Sequence, residues 1–470
     1  MNSHSARRPR HPVMVAAIML ALLVSTPLRG YSQVRDARPD TPTSTVLDGY
    51  IRDALRANLA LAQDNLDEDR AAAAVREARA LRLPTLAFST RRSETRGALD
   101  FGDLVNPAYR ALNQLTGSNA FPTNVGLTLP FAQETRLRLA QPIYQPAIGA
   151  GIRAASAARD AQSAGVRATA RRLVADVQTS YWAIASADKV AEVYRATLPL
   201  VDENVRVNER LLANGVVTPE AVLRARADRS EVAQQLAQAE QRQAATRREF
   251  NLLLDRPFDA AIITPGDSTF GIDDPTLGLT LEELVRRAVT TRDEVRQSES
   301  AIAAATAQER AASAAFLPSV AVALDYGVQG NTYQLDRDHD ALAASVVLEW
   351  NVFNGGRDEA RRQQAAIGAS RARVARREVE RRVELDVRQS YDALQVASAA
   401  IVTARDRAAA ARKSFELVAR RHAEGMASQI EFIDARTAHT RAELNLIVTR
   451  HARAVRAAEL ERAAALRVLP

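Results

Sequence analysis

The feature that most constrains this chain is a pair of long segments almost free of proline, the residue that most disrupts helices. Residues 149–213 contain one proline, Pro199, and residues 356–424 contain none. Both segments are rich in Ala and Arg, which favour helix. At a rise of 1.5 Å per residue, each would form a helix of roughly 100 Å, longer than a compact globular domain needs. The sequence therefore predicts an elongated, mostly α-helical fold with a small β part.

The two long segments belong to two halves built on one plan. Matching residues lie at a common offset, as in Gly215 and Gly425, Ser180-Tyr181 and Ser390-Tyr391, and Leu223-Arg224-Ala225-Arg226 and Ile433-Asp434-Ala435-Arg436. Each half reads helix, β-hairpin, very long helix, turn and shorter helix. The pattern indicates a duplication, with a first repeat at about 44–258 and a second repeat at about 276–468.

The shorter helices of each half have clear limits in the sequence. The first helices, over 45–81 and 280–315, should stop before Pro84 and Pro318, because the residue before a proline disfavours the helical conformation. The last helices should cover 219–254 and 429–466, about half the length of the long ones.

Segments of alternating apolar and polar residues follow each of these prolines. In one of them, apolar residues alternate with small ones: Val320, Val322 and Leu324 with Ser319, Ala321 and Ala323. A period of two predicts strands with one apolar face, and hence β-hairpins at about 84–144 and 318–353. The pattern fits both transmembrane barrel strands and a soluble sheet with one wet face. Four strands alone would leave edges that lipid does not tolerate, so a membrane barrel would need three chains and roughly 12 strands.

The N-terminus predicts export. Arg7, Arg8 and Arg10 precede a short apolar run at residues 13–24, as in a secretory signal peptide. We therefore expect residues 1–33 to be a signal peptide and residues 34–470 to form the exported domain. An uncleaved anchor is the alternative, although the run is shorter than the roughly 20 residues of a helical membrane span.

Composition and motifs argue against several functions. The net charge of +7 does not indicate nucleic-acid binding, because arginines are interspersed with acidic residues. The chain has no cysteine, which excludes disulfides and cysteine nucleophiles. It has neither a phosphate-binding glycine loop nor a recognisable catalytic set, so we expect no enzyme, no cofactor and no metal site. One acidic cluster could bind a metal but fits a solvated loop better: Asp336, Asp338, His339 and Asp340.

Several motifs occur in a characteristic order. They are Leu-Pro before each first strand, Gln-Pro-Ile-Tyr at 141–144, Trp-Asn-Val-Phe-Asn-Gly-Gly at 350–356, and helix–turn–helix tips at about 210–220 and 421–431. With the duplicated plan, they make residues 44–470 resemble the TolC-type outer-membrane efflux protein family. The resemblance implies a homotrimeric, 12-stranded outer-membrane β-barrel continued by a periplasmic α-helical barrel. It also implies the exit duct of a tripartite efflux or type I secretion system, working with an inner-membrane pump and a periplasmic adaptor. The alternative is a periplasmic coiled-coil scaffold or adaptor without a pore.

The two tips contain the predicted adaptor-contacting residues. A left-handed glycine after each long helix would end it without a Cβ clash, and Thr218 and Ser428 could cap the returning helices. The resemblance implies that the tips form the periplasmic mouth and contact the adaptor through six residues: Gly215, Val216, Thr218, Gly425, Met426 and Ser428.

The resemblance also implies a periplasmic gate formed by Glu431 and Asp434. These residues lie at i, i+3 on one helix face, and three copies would bring about six carboxylates round one axis, which repels anions and attracts cations. A solvated acidic pair favoured by the helix dipole is the alternative. Ala221, His422 and Ala427 stand where relatives place an aspartate, a tyrosine and an arginine. This departure predicts that closure is weaker or is held by other contacts.

Overall fold

The computed structural model describes residues 43–94, 99–125, 128–129, 133–264, 276, 278–330, 340–424 and 426–469. The expected signal peptide, residues 1–33, lies outside these ranges, as does Gly425. Most of the acidic loop at 336–340 also lies outside them.

The first half contains a helix pair, a strand, an insertion, a second strand and two further helices. In chain order these are α1 (Thr43–Ala57), α2 (Leu59–Ala80), β1 (Thr85–Arg92), β2 (Leu99–Asp100), α3 (Phe101–Thr116), β3 (Thr128–Leu129), β4 (Gln133–Tyr144), α4 (Pro146–Ala213) and α5 (Pro219–Leu253).

The second half repeats this order without the insertion. Its elements are α6 (Leu281–Thr291), α7 (Asp293–Ser313), β5 (Ser319–Gly330), β6 (Asp340–Glu349), α8 (Arg357–Ala423) and α9 (Gln429–Ala463). The long helices α4 and α8 have 68 and 67 residues. The structure therefore confirms the mostly helical fold and its duplicated plan.

The predicted continuous helices over 45–81 and 280–315 are wrong, because each is interrupted about a third of the way along, at Asn58 and at Arg292. Asn58 leaves the helical conformation with ψ at 125°, and its side-chain oxygen caps α2 by accepting from the backbone N–H of Leu61. The Asn58 amide also donates to the carbonyl O of Leu253 at 2.9 Å. In the second half Arg292 is extended, with ψ at 136°, and separates α6 from α7.

Buried charges fix the second interruption. The Arg292 guanidinium donates to the Asp386 carboxylate of α8, with Nη1 and Oδ2 2.6 Å apart. The Asp293 side chain is 1% exposed and accepts from Nε of Arg167 at 2.9 Å and of Arg171 at 2.8 Å, both in α4. An aspartate in the first turn is also favoured by the helix dipole. These bonds hold the start of α7 between the two long helices.

Among the described elements, helix α4 makes the most extensive contacts. It packs against α5 and α2 of its own half and against α7 and α9 of the second half, whereas α8 packs against α6, α7 and α9. Two apolar clusters lie near the helix interruptions, one around Tyr181 and Phe250 and the other around Leu284 and Leu460. No helix within the described ranges has the length and apolar character needed to cross a membrane.

The main sheet has four antiparallel strands in the order β1-β4-β5-β6. Each half contributes one pair, and β4 and β5 join the two pairs. The register places Phe88, Leu137, Tyr326 and Leu342 side by side across all four strands. Strand β6 ends at Glu349, earlier than the predicted end near residue 353. Strands β1 and β6 form the two edges.

Candidate functional site

One face of the four-stranded sheet is an exposed apolar surface. Because side chains alternate along a strand, the row that crosses the sheet from Phe88 to Leu342 lies on one face. Phe88 is 69% exposed and Leu342 is 70% exposed. We call this surface the apolar band; it comprises Leu86, Phe88, Leu137, Leu139, Val322, Leu324, Tyr326, Leu342, Val346 and Leu348. An exposed apolar surface of this extent indicates contact with lipid or protein.

Apart from Val347, the residues on the opposite face of the sheet are small, polar or charged. Arg91 donates to Glu134 at 2.9 Å, and Nε of Arg138 lies 3.7 Å from Oδ1 of Asp325. One apolar face and one polar face on strands of this length are typical of barrel strands that separate lipid from a water-filled interior.

The first tip is a tight turn between α4 and α5. Gly215 has φ at +72°, in the left-handed region that favours glycine. The N–H of Val216 donates to the carbonyl O of Leu211 at 2.9 Å, as in a Schellman motif. Thr218 occupies the N-cap position of α5 but makes no side-chain capping bond, and a proline follows it. The predicted cap at Thr218 is therefore wrong, while the predicted glycine turn is confirmed.

The second tip, between α8 and α9, has the same backbone pattern. The N–H of Met426 donates to the carbonyl O of Arg421 at 2.7 Å, at the positions that match Val216 and Leu211. Here the predicted cap is confirmed, because the Ser428 hydroxyl accepts from the backbone N–H of Glu431. Val216 and Met426 are 67% and 59% exposed, and Ile430 of the second tip is 55% exposed, so both tips present large apolar side chains to solvent.

The two predicted gate carboxylates have different environments. Glu431 closes the capping box of α9, with its Oε2 accepting from the backbone N–H of Ser428 at 2.7 Å. Hydrogen bonds from the backbone and side chain of Ser428 hold the pKa of Glu431 below its ordinary value. Asp434 is exposed one turn further along α9. Glu431 therefore stays ionised under mildly acidic conditions while it caps the helix.

A buried ion pair joins the two helical hairpins close to these carboxylates. Nη2 of Arg436 in α9 lies 2.6 Å from Oδ1 of Asp228 in α5, and the two side chains are 6% and 12% exposed. Burial raises the pKa of Asp228, and the Arg436 guanidinium opposes that rise. A second link runs from the Asn208 amide of α4 to the Gln429 amide oxygen of α9 at 3.2 Å. We call the Asp228–Arg436 contact the tip ion pair.

The sequence pointed to neither partner of the tip ion pair, because each resembles the many other charged residues on these helices. It did identify the unusual His422, whose ring here packs at a tilt against that of Phe432, with ring centroids 4.9 Å apart. Phe432 in turn contacts Phe415. The histidine at this position is therefore part of an aromatic cluster within the α8–α9 hairpin.

No group of three or more potential metal ligands occurs among the residues that the structure describes. The acidic loop, except for Asp340, lies outside them. Near the tips, Glu431 instead caps a helix and Asp228 forms an ion pair.

Comparison with known proteins agrees with this geometry. The family model "Outer membrane efflux protein" matches residues 50–254 and 284–466. CusC shares 20% sequence identity with a TM-score of 0.72, covering 89% of this chain and 92% of CusC. The outer membrane protein VceC from Vibrio cholerae shares 19% with a TM-score of 0.71, covering 89% and 95%. The MtrE outer membrane channel from Neisseria gonorrhoeae, in its open state, shares 19% with a TM-score of 0.69, covering 89% and 88%.

No curated protein sequence matches the chain. At identities near 20% the solved structures establish the fold, and the family model, which spans most of the chain, establishes the relationship. Together they confirm the resemblance drawn from the repeated tips and strands: the chain belongs to the outer membrane efflux protein family.

Proposed function

We propose that this chain is the outer-membrane exit duct of a tripartite efflux or type I secretion system. The apolar band is the observation that carries the proposal. It crosses four strands, is exposed to solvent in the single chain, and lies on a sheet whose edge strands each have one partner within the described residues. Lipid would cover the band, and strands of neighbouring copies would pair with the edges.

The strand lengths suit a membrane barrel. Strands β4 and β5 have 12 residues each, or about 40 Å at roughly 3.3 Å per residue. At a tilt of about 40° they would span roughly 30 Å along the membrane normal, the thickness of the hydrocarbon core. Three copies would supply roughly 12 strands, within the range of closed barrels.

The helices support the same trimer. Within one chain, α7 of the second half packs against α4 of the first half. Repetition of that contact would place α2 of a neighbouring copy against α8. Large apolar side chains are exposed on both surfaces, including Leu66 of α2 and Val374 and Val396 of α8. A ring of three copies would bury them and form the periplasmic α-helical barrel.

The tips would form the periplasmic mouth. The exposed Val216 and Met426 would contact a periplasmic adaptor together with the other predicted tip residues, while an inner-membrane pump supplies the energy for transport. Glu431 and Asp434 would line the gate, and the tip ion pair would hold the two hairpins of each copy together when the gate is closed. Opening would be a shift of the tip helices driven by adaptor contact. Residues 1–33 would direct export to the outer membrane.

A periplasmic scaffold or adaptor without a pore is the second candidate. It would account for the long helices, because coiled coils use the same packing. It gives no role to the apolar band, which would be left exposed to water.

The test is the assembly state and conductance of the protein purified in detergent. Native mass spectrometry should give a trimer, and planar bilayers should show channels. Val346→Arg places a charge on the apolar band, where it costs about 2–4 kcal/mol in a barrel, and should reduce membrane assembly. Ser345→Arg, on the opposite face, is the matched control and should assemble. A soluble, non-conducting monomer without detergent would support the scaffold instead.

Adaptor contact is tested separately with the assembled trimer. Val216→Asp and Met426→Asp should weaken binding of the purified adaptor, since each replaces an exposed apolar side chain at a tip. Leu252→Asp, an exposed position at the end of α5 remote from the tip, is the control and should leave adaptor binding unchanged. Unchanged adaptor binding by both tip variants would remove the tips from the interface.

A further inference from the structure

The insertion between β1 and β4 contains a helix, α3, that is fixed by its own loop. Residues 117–125 fold back along one side of it. Asn106 exchanges two hydrogen bonds with the backbone of Val125, both 2.8 Å, and Asn113 exchanges two with the backbone of Phe121, at 2.7 and 2.9 Å. A Cβ atom at Gly102 would lie 1.9 Å from the Val125 carbonyl O, so this close approach requires glycine. The helix therefore has one face that is already covered.

The face of α3 opposite these asparagines is apolar and exposed. Leu104 is 76% exposed and Leu115 is 85% exposed. At about 100° per residue, they lie on one stripe with three other residues. We call this the α3 stripe: Phe101, Leu104, Ala108, Leu112 and Leu115. Its steps of three and four residues, and the seven-residue interval from Phe101 to Ala108 to Leu115, are those of a helix that packs against another helix.

The remaining edge of α3 helps to identify what covers the stripe. It contains one acidic and one basic residue, Asp103 and Arg110, together with Gln114. Helices that bind anionic lipid surfaces usually have a polar face rich in Lys and Arg, which α3 lacks. A protein surface is therefore favoured over lipid.

The position of the insertion indicates which protein covers the α3 stripe. It begins after Arg92, at the end of β1 remote from α2, and β1 is an edge strand of the sheet. In the proposed trimer, β6 of a neighbouring copy would pair with that edge. The insertion would thus stand at the boundary between copies, at the outer end of the barrel.

We infer that the α3 stripes of neighbouring copies pack against one another and form a helical cover at the outer mouth of the duct. The inference rests on the proposed trimer. The bulky leucines would form the contact, and Ala108 would permit close approach of the helices.

Disulfide cross-linking tests this arrangement directly, because the chain has no cysteine of its own. Leu104→Cys and Leu115→Cys introduce single thiols on the α3 stripe, and Gln114→Cys introduces one on the polar edge of the same helix. The purified trimers would be oxidised in detergent and run on non-reducing gels. We expect at least one stripe position to give about tenfold more cross-linked dimer than Gln114→Cys, because only cysteines that lie close together in the trimer can form a disulfide.

Each other outcome overturns the inference in a recognisable way. An intact trimer without cross-links at either stripe position would show that the stripes do not meet, while leaving the proposed duct in place. A spin label at residue 115 that is freely accessible to oxygen in liposomes would identify lipid as the occupant. A monomer by native mass spectrometry would remove both this inference and the trimer on which it rests.

Discussion

The tip ion pair offers the sharpest test of how the proposed gate is held closed. Arg436→Leu would leave the Asp228 carboxylate, whose side chain is 12% exposed, without its partner. Removal of one member of a buried ion pair costs about 3–5 kcal/mol. If the hairpins separate on opening and Asp228 then reaches water, the penalty applies to the closed state alone. A difference of about 3 kcal/mol would shift the closed-to-open ratio of each copy by roughly a hundredfold.

Single-channel recording in planar bilayers measures this shift as an increased open probability. The chain offers a matched control in Arg226, which stands at the position of Arg436 in the first repeat. Nη2 of Arg226 lies 2.7 Å from Oε1 of Glu209, within the α4–α5 hairpin, and the two side chains are 60% and 42% exposed. Loss of such an exposed pair costs at most about 1 kcal/mol. Arg226→Leu should therefore leave the open probability close to that of the unaltered protein.

A double variant separates gating from general destabilisation. Asp228→Leu combined with Arg436→Leu leaves no buried charge unpaired, so it should recover much of the closure lost in Arg436→Leu alone. The reasoning would be refuted if Arg436→Leu formed trimers with unchanged open probability. It would equally be refuted if the double variant remained as open as the single one.

Three further predictions concern the tips and the helices behind them. Ser428→Ala should lower the free energy of unfolding by about 1 kcal/mol through loss of the α9 cap. Thr218→Ala removes no capping bond and should leave the free energy of unfolding unchanged. Denaturant midpoints measured in detergent would show the difference. Gly215→Ala should cost about 1 kcal/mol because of its positive φ, while Gly151→Ala, inside α4 with open space around it, should stabilise by up to about 1 kcal/mol. Burial lowers the pKa of His451 below its ordinary 6.5, so its contribution to stability is present above pH 6.5 and is lost as pH falls through the lowered pKa. His451→Gln should flatten the decline of melting temperature on acidification, and an unchanged decline would contradict the assignment.

The sequence predicted the features that depend on local pattern. Strand alternation such as that of Val322 and Leu324 was sufficient for the apolar band, because a period of two fixes the face of every side chain. The turn at Gly215 was similarly evident, since few other residues accept its backbone conformation. The two segments almost free of proline predicted the lengths of α4 and α8.

Features that depend on distant partners could not be predicted in the same way. Asn58 and Arg292 interrupt helices through bonds to Leu253 and Asp386, which lie far away in the chain. The tip ion pair joins residues 208 positions apart. Helical propensity, by contrast, reports only on neighbours.

Two other features that the sequence analysis missed did have a signal in the sequence. The Ser-x-x-Glu pattern at 428–431 is that of a capping box and could have assigned Glu431 to the helix cap. The apolar spacing from Phe101 to Leu115 within the long insertion could have indicated an amphipathic helix.

The contrast between the two long helices has a consequence for biogenesis. Helix α4 packs against both α2 and α7 within its own chain, whereas α8 packs against α7 but makes no comparable contact with α2 within the described residues. A freshly folded single copy would therefore protect the backbone amides of α4 from hydrogen exchange sooner than those of α8. Helix α4 would be protected once the single chain folds, whereas α8 would be protected only after a neighbouring copy binds. Exposed α8 is therefore the surface by which cellular quality control could distinguish an unassembled subunit from an assembled one.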